Sequence, residues 1–187
     1  MVNKKYATIG GAAVAAVIIA VAAMSSSFQT SNSLSLTTVS GNEKAEGLKV
    51  GNSAPSFSLT DPENGSITKQ TFVGKPVLIF FTTTWCTPCQ IGAQNIAKLD
   101  DETGGNAFNV LIVFVDPRET DEQYLQWKQN YGRDDWYVAE SEQMPQEYHV
   151  RYLDTKYVFD SNGIVKWVDV NPLEYSKVKQ VLEPLLA

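Results

Sequence analysis

The chain has 187 residues, of which 43% are apolar and 19% are charged, and its formal net charge is −6 at pH 7. These proportions suit one globular domain with an appendage. The negative charge and the lack of any basic stretch argue against a nucleic-acid-binding protein.

The first part of the chain, residues 1–24, is predicted to enter a membrane. Lys4 and Lys5 precede an uncharged run from Ala7 to Met24, which as a helix would be about 27 Å long against a hydrocarbon core of roughly 30 Å. The length of the run favours a signal anchor, and small residues at 20–23 leave open a cleaved signal peptide. The lysines on its N-terminal flank predict that the rest of the chain lies outside the cytoplasm, either anchored by one helix or secreted.

Residues 25–47 are rich in Ser, Thr and Asn and contain few apolar residues. They are therefore predicted to form a flexible linker. The folded domain is expected to span residues 48–187. It begins with an N-terminal extension in which Asn64-Gly65 predicts a hairpin turn.

Two apolar, β-branched runs at 76–82 and 109–116 predict central strands that are covered on both faces. Between them, residues 89–102 predict a helix, with Ile91, Ile96 and Leu99 as its apolar positions. Strand, helix and strand in this order predict a βαβ unit with two parallel strands and a right-handed crossover.

In the second half of the domain, helices and a strand are predicted to alternate again, and a hairpin and a last helix follow. A helix is predicted around 119–132, and its buried stripe would consist of Tyr124, Leu125, Trp127 and Tyr131. A short strand, a short helix, a hairpin and a final helix should follow, at 136–139, 144–150, 155–170 and from Asn171-Pro172 onward. The whole order predicts an α/β fold with a mixed central sheet sandwiched by helices.

The only two cysteines, Cys86 and Cys89, lie where the first central strand ends and its helix begins. Free N–H groups and the helix dipole at such a position stabilise a thiolate. We therefore predict a redox dithiol that cycles through a Cys86–Cys89 disulfide, with Cys86 attacking and Cys89 resolving. Trp85 is expected to cover the sulfur atoms.

A metal site is the alternative for such a pair of cysteines. Zinc would need two further ligands, but the chain has no second pair of cysteines and a single histidine, His149, sixty residues along the sequence. We therefore predict neither a bound metal nor a cofactor.

The motif Trp85-Cys86-Thr87-Pro88-Cys89, preceded by "GNSAPSFSL" and "GKP" and followed by "VLIVFVD" and "YHVRYLDTKYVFDSNGIVKW", resembles the extracytoplasmic thioredoxin-like proteins of the TlpA/ResA type. The resemblance covers residues 48–187 and implies a thioredoxin-like fold. It also implies a thiol-disulfide oxidoreductase that exchanges disulfides with partner proteins and is joined to the membrane by its N-terminal segment. Trp85, Thr87, Pro88 and Leu153 would contact the substrate.

Three positions differ from the pattern of that family. Asp154 stands where a cis-proline is usual, Phe80 replaces a buried acid, and Gly92 replaces a glutamate. We expect a trans bond and a reshaped loop, because a cis bond without proline costs about 2.5–4 kcal/mol. Either Asp154 accepts the proton of Cys89 and raises the cysteine pKa values, or it is a solvated loop residue.

Three other functions are compatible with such a fold. A copper-delivery protein of the Sco type would use the two thiolates to hold Cu(I), although it normally has a wider cysteine spacing and a histidine near position 154. A peroxiredoxin-like peroxidase is suggested by Thr83 and Cys86, which match half of its motif. A tethered adaptor without activity is the third, and the intact cysteine pair argues against it.

Overall fold

The computed structural model of the protein describes residues 45–186. The predicted membrane segment, residues 1–24, lies outside the described residues, and so does most of the predicted linker. Among the helices that are described, none has the length and apolar character needed to cross a membrane.

A mixed five-stranded sheet forms the centre of the domain, as the sequence predicts. Its strands lie in the order β5-β4-β3-β6-β7, and their bounds are β3 Val77–Thr82, β4 Asn109–Phe114, β5 Tyr137–Glu140, β6 Thr155–Phe159 and β7 Val165–Asp169. Strand β3 pairs in parallel with β4 and antiparallel with β6. A separate antiparallel hairpin, β1 Ser58–Asp61 and β2 Gly65–Thr68, turns at the predicted place.

The helices pack on the sheet around two apolar clusters, one on each face. Their bounds are α1 Thr87–Glu102, α2 Asp121–Tyr131, α3 Met144–Glu147 and α4 Tyr175–Leu182. Side chains of α1, α2 and α4 cover the face that carries Leu78 and Phe80. The face that carries Ile79 and Phe81 is covered by the β1–β2 hairpin and by the short α3. Only one face is therefore covered by long helices.

The helix α1 buries a different stripe from the predicted one. Ile96 and Leu99 are buried, but the side chain of Ile91 is 56% exposed. Cys89, Gly92 and Ala93 occupy the buried side of the first turns instead. The prediction for Ile91 was wrong because small residues, which allow close packing against the sheet, defined the inner face.

The final helix begins later than predicted, at Tyr175 and not at Asn171-Pro172. The carbonyl oxygen of Asn171 accepts a hydrogen bond from the Lys156 side chain, and that of Leu173 accepts one from the Asn95 side chain. These two carbonyls are held by side chains of other elements, and the first helical hydrogen bond runs instead from the N–H of Val178 to the carbonyl oxygen of Glu174, at 3.1 Å. The segment is extended until Glu174.

Candidate active site

The two cysteines lie at the start of α1, next to the end of β3. Cys86 is the N-cap residue, and the first helical hydrogen bond runs from the N–H of Gln90 to its carbonyl oxygen, at 3.0 Å. Pro88 in the first turn fits there because it has no N–H to satisfy. The Sγ atoms of Cys86 and Cys89 are bonded, with the Cα atoms 5.3 Å apart. Cys86 is 7% exposed and Cys89 is fully buried, so a partner can reach only Cys86.

Trp85 precedes the pair and is 62% exposed. Its indole Nε1 donates to Oδ2 of Asp116, at 3.4 Å. Two hydrogen bonds from Arg118, at 2.8 and 2.7 Å, hold the same carboxylate and keep the pKa of Asp116 well below its ordinary value. A carboxylate that stays ionised thus fixes one edge of Trp85, while the rest of the ring faces solvent beside Cys86.

The loop before Cys86 is held from two sides. The backbone N–H of Thr84 donates to Oε1 of Glu119, at 2.7 Å, and the Thr84 hydroxyl donates to the same oxygen. On the other side, the side-chain amide of Gln90 donates to the Thr84 carbonyl at 2.8 Å. The position of Cys86 therefore depends on the loop between β4 and α2.

Sequence reasoning did not identify Asp116 or Glu119 as site residues. Both follow β4 directly, in "VDPRET", and the ends of parallel strands meet at one edge of a sheet. Acidic residues just after the strand next to β3 are the signal that could have revealed them.

Asp154 lies just before β6 in a buried and unusual backbone conformation. Its φ angle is 66°, and every peptide bond within residues 45–186 is trans. The residue is only 5% exposed, so the alternative of a solvated loop residue is wrong. The preceding Leu153 packs against the apolar cluster that contains Cys86 and Cys89. The loop around Asp154 therefore adjoins the apolar cluster to which the cysteine pair belongs.

A buried lysine accompanies Asp154, and sequence reasoning missed it. Lys156 is 0% exposed, and its Nζ donates to Oδ1 of Asp154 at 2.5 Å, to the Asp154 carbonyl oxygen, and to the Asn171 carbonyl oxygen at 2.7 Å. Across the β3–β6 ladder it pairs with Phe80, and Nζ lies 5.1 Å from the centre of that ring. No local signal in the sequence could have revealed it, because a lysine in a strand normally predicts an exposed position.

Burial opposes the charge of both partners. It raises the pKa of Asp154 against the hydrogen bond from Lys156, and it lowers the pKa of Lys156 against the hydrogen bond to Asp154. Oδ2 of Asp154 is buried and has no hydrogen-bond partner among the described residues. One oxygen of the carboxylate is thus held by the ammonium group, and the other is free to accept a proton.

Positions 80 and 92, which usually carry acids in proteins of the TlpA/ResA type, are apolar in this chain. Phe80 is fully buried in β3, and Gly92 faces it from α1: a Cβ atom at Gly92 would lie 3.6 Å from the Phe80 ring and 3.4 Å from Cβ of Leu173. The space beside the first turns of α1 is therefore filled by hydrocarbon.

The other expected substrate-contacting residues, Thr87 and Pro88, are exposed in the first turn of α1. Trp85 and Pro88 are thus accessible to a partner on the two sides of Cys86. Within residues 45–186, no three His, Cys, Asp or Glu side chains come together as metal ligands would.

Several known proteins are similar to this chain. It is 25% identical to the thioredoxin-like protein YneN of Bacillus subtilis, over 75% of this chain and 83% of that protein. It is 28% identical to the thiol-disulfide oxidoreductase ResA of Geobacillus thermodenitrificans, over 74% of this chain and 79% of that protein.

Solved structures show the same fold. A thiol:disulfide interchange protein of the thioredoxin family from Chlorobium tepidum matches with a TM-score of 0.61 at 19% identity, over 72% of this chain and 95% of that one. Copper-bound ScoI from Bradyrhizobium japonicum matches with a TM-score of 0.57 at 19% identity, over 72% of this chain and all of that one (100%). The likeness to the thioredoxin-family structure confirms the predicted thioredoxin-like fold.

The AhpC/TSA family model matches residues 50–168, which include β1 to β6, most of β7 and the site residues from Phe80 to Lys156. The relatives with named activities are thiol-disulfide oxidoreductases. The chain therefore belongs to the AhpC/TSA family and is an oxidoreductase with the thioredoxin-like fold.

Proposed function

We propose that this protein exchanges disulfides with partner proteins through Cys86 and Cys89. The observation that carries the proposal is the bonded pair at the start of α1, in which Cys86 is slightly exposed and Cys89 is fully buried. The relatives named ResA, which are thiol-disulfide oxidoreductases, support the same reaction class.

The two cysteines have different roles in the proposed reaction. In the reduced protein, the thiolate of Cys86 attacks a disulfide of the partner, and one partner sulfur leaves as a thiolate. The resulting mixed disulfide is resolved when the thiolate of Cys89 attacks Sγ of Cys86, which releases the second partner thiolate. The partner disulfide gains two electrons, and the dithiol loses two as the Cys86–Cys89 bond forms.

Cys89 must lose its proton before it can attack, because the thiolate is the nucleophile. We assign that proton to Asp154, whose Oδ2 is buried and has no partner within the described residues. Phe80 and Gly92 carry no acid that could take the proton instead. Asp154 would then act as the general base of the resolving step.

We further propose that the domain works outside the cytoplasm and is joined to the membrane by residues 1–24. The support is the charge pattern of the sequence, with Lys4 and Lys5 before the apolar run. Fusion of a reporter that is active on only one side of the membrane to residue 187 tests the orientation. Activity only on the cytoplasmic side would refute it, and the mass of the membrane-bound protein decides whether the segment is cleaved.

Single cysteine variants test the exchange reaction. Cys89→Ser should accumulate a mixed disulfide with a model protein disulfide through Cys86, and Cys86→Ser should accumulate none. Wild-type protein should transfer electrons to the same substrate. If Cys86→Ser were as active as the wild type, the assignment of roles would be wrong. Peroxide consumption without disulfide exchange would support a peroxidase instead.

The direction of exchange follows from the reduction potential of the Cys86–Cys89 couple. Equilibration of the protein with glutathione mixtures, followed by alkylation of free thiols, measures it. Because about 30 mV corresponds to about 1.4 kcal/mol for a two-electron couple, a modest difference decides whether partners are reduced or oxidised.

A further inference from the structure

We propose that Lys156 is a positioning residue for the dithiol reaction: it holds the Asp154 carboxylate ionised by one oxygen and leaves the other as the acceptor for the Cys89 proton. This inference rests on the proposed function. Lys156, which lies in the buried strand β6, would be a second residue, after Asp154, that assists the resolving step.

The hydrogen bonds of Lys156 give the first reason. An ammonium group has three donors, and those of Lys156 meet three oxygens: Oδ1 and the carbonyl of Asp154, and the carbonyl of Asn171. The lysine therefore holds both the side chain and the backbone of Asp154. These hydrogen bonds hold Asp154 in its left-handed backbone conformation, at a φ angle of 66°.

The location of Lys156 gives the second reason. A lysine that is fully buried in the middle of a sheet is costly unless an opposite charge and hydrogen bonds compensate it. Here the ammonium lies against the Phe80 ring, where an apolar side chain would pack without that cost. Asp154 is the residue that requires a cation at this place, because its carboxylate is 93% buried, with a side-chain exposure of 7%.

Two contacts connect this ion pair with the cysteines. Phe80, against which the ammonium lies, packs on Gly92, one turn after Cys89 in α1. Leu153, the neighbour of Asp154, packs on the cluster that includes both cysteines. Through Phe80 and Leu153 the ion pair is thus connected to the apolar cluster in which Cys89 is fully buried.

The other charged groups around the pair are few. Asp169 on β7 is the cross-strand partner of Lys156, and its charge raises the pKa of both Asp154 and Lys156. Hydrogen bonds from Asn171 and Val170 hold that carboxylate ionised. From β3 the facing residue is Phe80, and Cys89 of α1 and its N-cap residue Cys86 belong to the apolar cluster against which Leu153 packs.

The resolving step moves one proton from Cys89 to Asp154. The S–H of Cys89 gives its proton to Oδ2 of Asp154, which leaves a thiolate, a neutral carboxyl group and an unchanged Lys156 ammonium. The thiolate forms the bond to Sγ of Cys86, and the partner thiolate leaves. The carboxyl group then returns its proton to the leaving thiolate or to solvent, which restores the ion pair.

The test follows the resolving step directly. A mixed disulfide between Cys86 and a coloured aromatic thiol is prepared at acidic pH, and release of that thiol is timed after transfer to a series of higher pH values. Lys156→Met should move the midpoint of the pH profile upward by about one unit or more, and slow release near neutral pH about tenfold. The reason is that a buried carboxylate without its counter-ion has a raised pKa and is already protonated near neutral pH, and a protonated carboxyl group cannot accept the proton of Cys89.

Two variants serve as controls. Lys166→Met removes a lysine from β7 whose side chain is 41% exposed, and its profile should equal that of the wild type. Asp154→Asn removes the acceptor itself, so that adding Lys156→Met to it should slow release no further. A Lys156 variant that is less stable but keeps the wild-type profile would show a purely structural lysine and overturn the proposal.

A second variant and the behaviour of the wild type cover the two cases in which Lys156→Met alone would not decide the role of Lys156. If Lys156→Met does not fold, Lys156→Gln keeps hydrogen-bond donors without the charge, and an unchanged profile in that variant equally refutes the proposal. If the wild type itself never releases the aromatic thiol, the proposed exchange function fails, and not only the role of Lys156.

Discussion

The carboxylate of Glu119 accepts a hydrogen bond, at 2.7 Å, from the backbone N–H of Thr84, two residues before Cys86. The Thr84 hydroxyl donates to the same oxygen, and the Tyr124 hydroxyl donates to the Glu119 carbonyl at 3.1 Å. A side chain from the β4–α2 loop therefore sets the path of the chain into the redox pair.

We expect Glu119→Ala to destabilise the oxidised protein by about 1–3 kcal/mol, because it leaves the Thr84 N–H without its charged acceptor. The rate at which Cys86 reacts with a small disulfide should change too, since the loop before it is freed. Chemical denaturation and stopped-flow kinetics measure the two effects. Glu122→Ala, at an exposed position of α2, is the control and should leave the reaction rate as it is.

The Asp116–Arg118 ion pair predicts a dependence of stability on pH. The pKa of Asp116 lies below its ordinary value of 3.8 because of the hydrogen bonds from Arg118. Ionised Asp116 therefore stabilises the fold above pH 3.8, and this stabilisation is lost as the pH falls from there towards the pKa in the folded state.

Arg118→Gln should consequently lower the melting temperature slightly near neutral pH, and the difference from the wild type should shrink below pH 3.8. The effect is small because the Arg118 side chain is 84% exposed. Thermal unfolding over a pH series checks it. A difference that stays constant down to about pH 2 would show that the pair does not act through this carboxylate.

Two substitutions at Gly92 should change the free energy of unfolding in opposite directions. A Cβ atom there would make ordinary contacts, at 3.4 and 3.6 Å, and glycine inside a helix costs about 0.5–1 kcal/mol relative to alanine. We expect Gly92→Ala to raise the free energy of unfolding by about that amount.

Gly92→Glu should instead destabilise the protein, because it places a carboxylate between Phe80 and Leu173, where the nearby Lys156 ammonium is already paired with Asp154. Urea denaturation of both variants and of Gln94→Ala, at an exposed position of α1, measures these effects. Equal stability of the Gly92→Glu variant and the wild type would contradict the apolar packing described at this helix.

Removing one member of the Asp154–Lys156 pair should cost far more than removing both. Breaking a buried ion pair typically costs about 3–5 kcal/mol, whereas replacing both partners by uncharged residues of similar size is often neutral. Lys156→Met and Asp154→Asn should each be destabilising, and the double variant should recover most of the loss. Denaturant titrations of the four proteins form the double-mutant cycle. Additive losses would mean that the two charges do not interact.

Much of the fold could be predicted from the sequence because its signals are local. The apolar runs of β3 and β4 and the motif around Cys86 identify the central strands and the start of α1 without any distant contact. The position of Asp154 could be located only through the resemblance to TlpA/ResA-type proteins, which usually have a cis-proline at that place before the hairpin.

The features of the fold and of the site that could not be predicted from the sequence depend on contacts between distant parts of the chain. The hydrogen bonds between Glu119 and Thr84 and between Lys156 and Asn171 join residues that are far apart in the sequence, and the periodicity of apolar residues does not predict such pairs. A lysine in a strand normally predicts an exposed face, so the burial of Lys156 contradicts its own local signal. The late start of α4 has the same origin, because carbonyl oxygens of residues 171 and 173 are used by side chains of other elements.

The hydrogen bond from Lys156 to Asn171 has a consequence for biosynthesis. The cysteine pair leaves the ribosome well before Asp154, Lys156 and Asn171 do, because they follow it by a large part of the domain. A growing chain therefore contains Cys86 and Cys89 before it contains Asp154 and Lys156. If these two residues act as proposed, we expect the resolving step to reach its full rate only after the last strands have joined the sheet, and a chain truncated before them to carry the motif with a slower reaction.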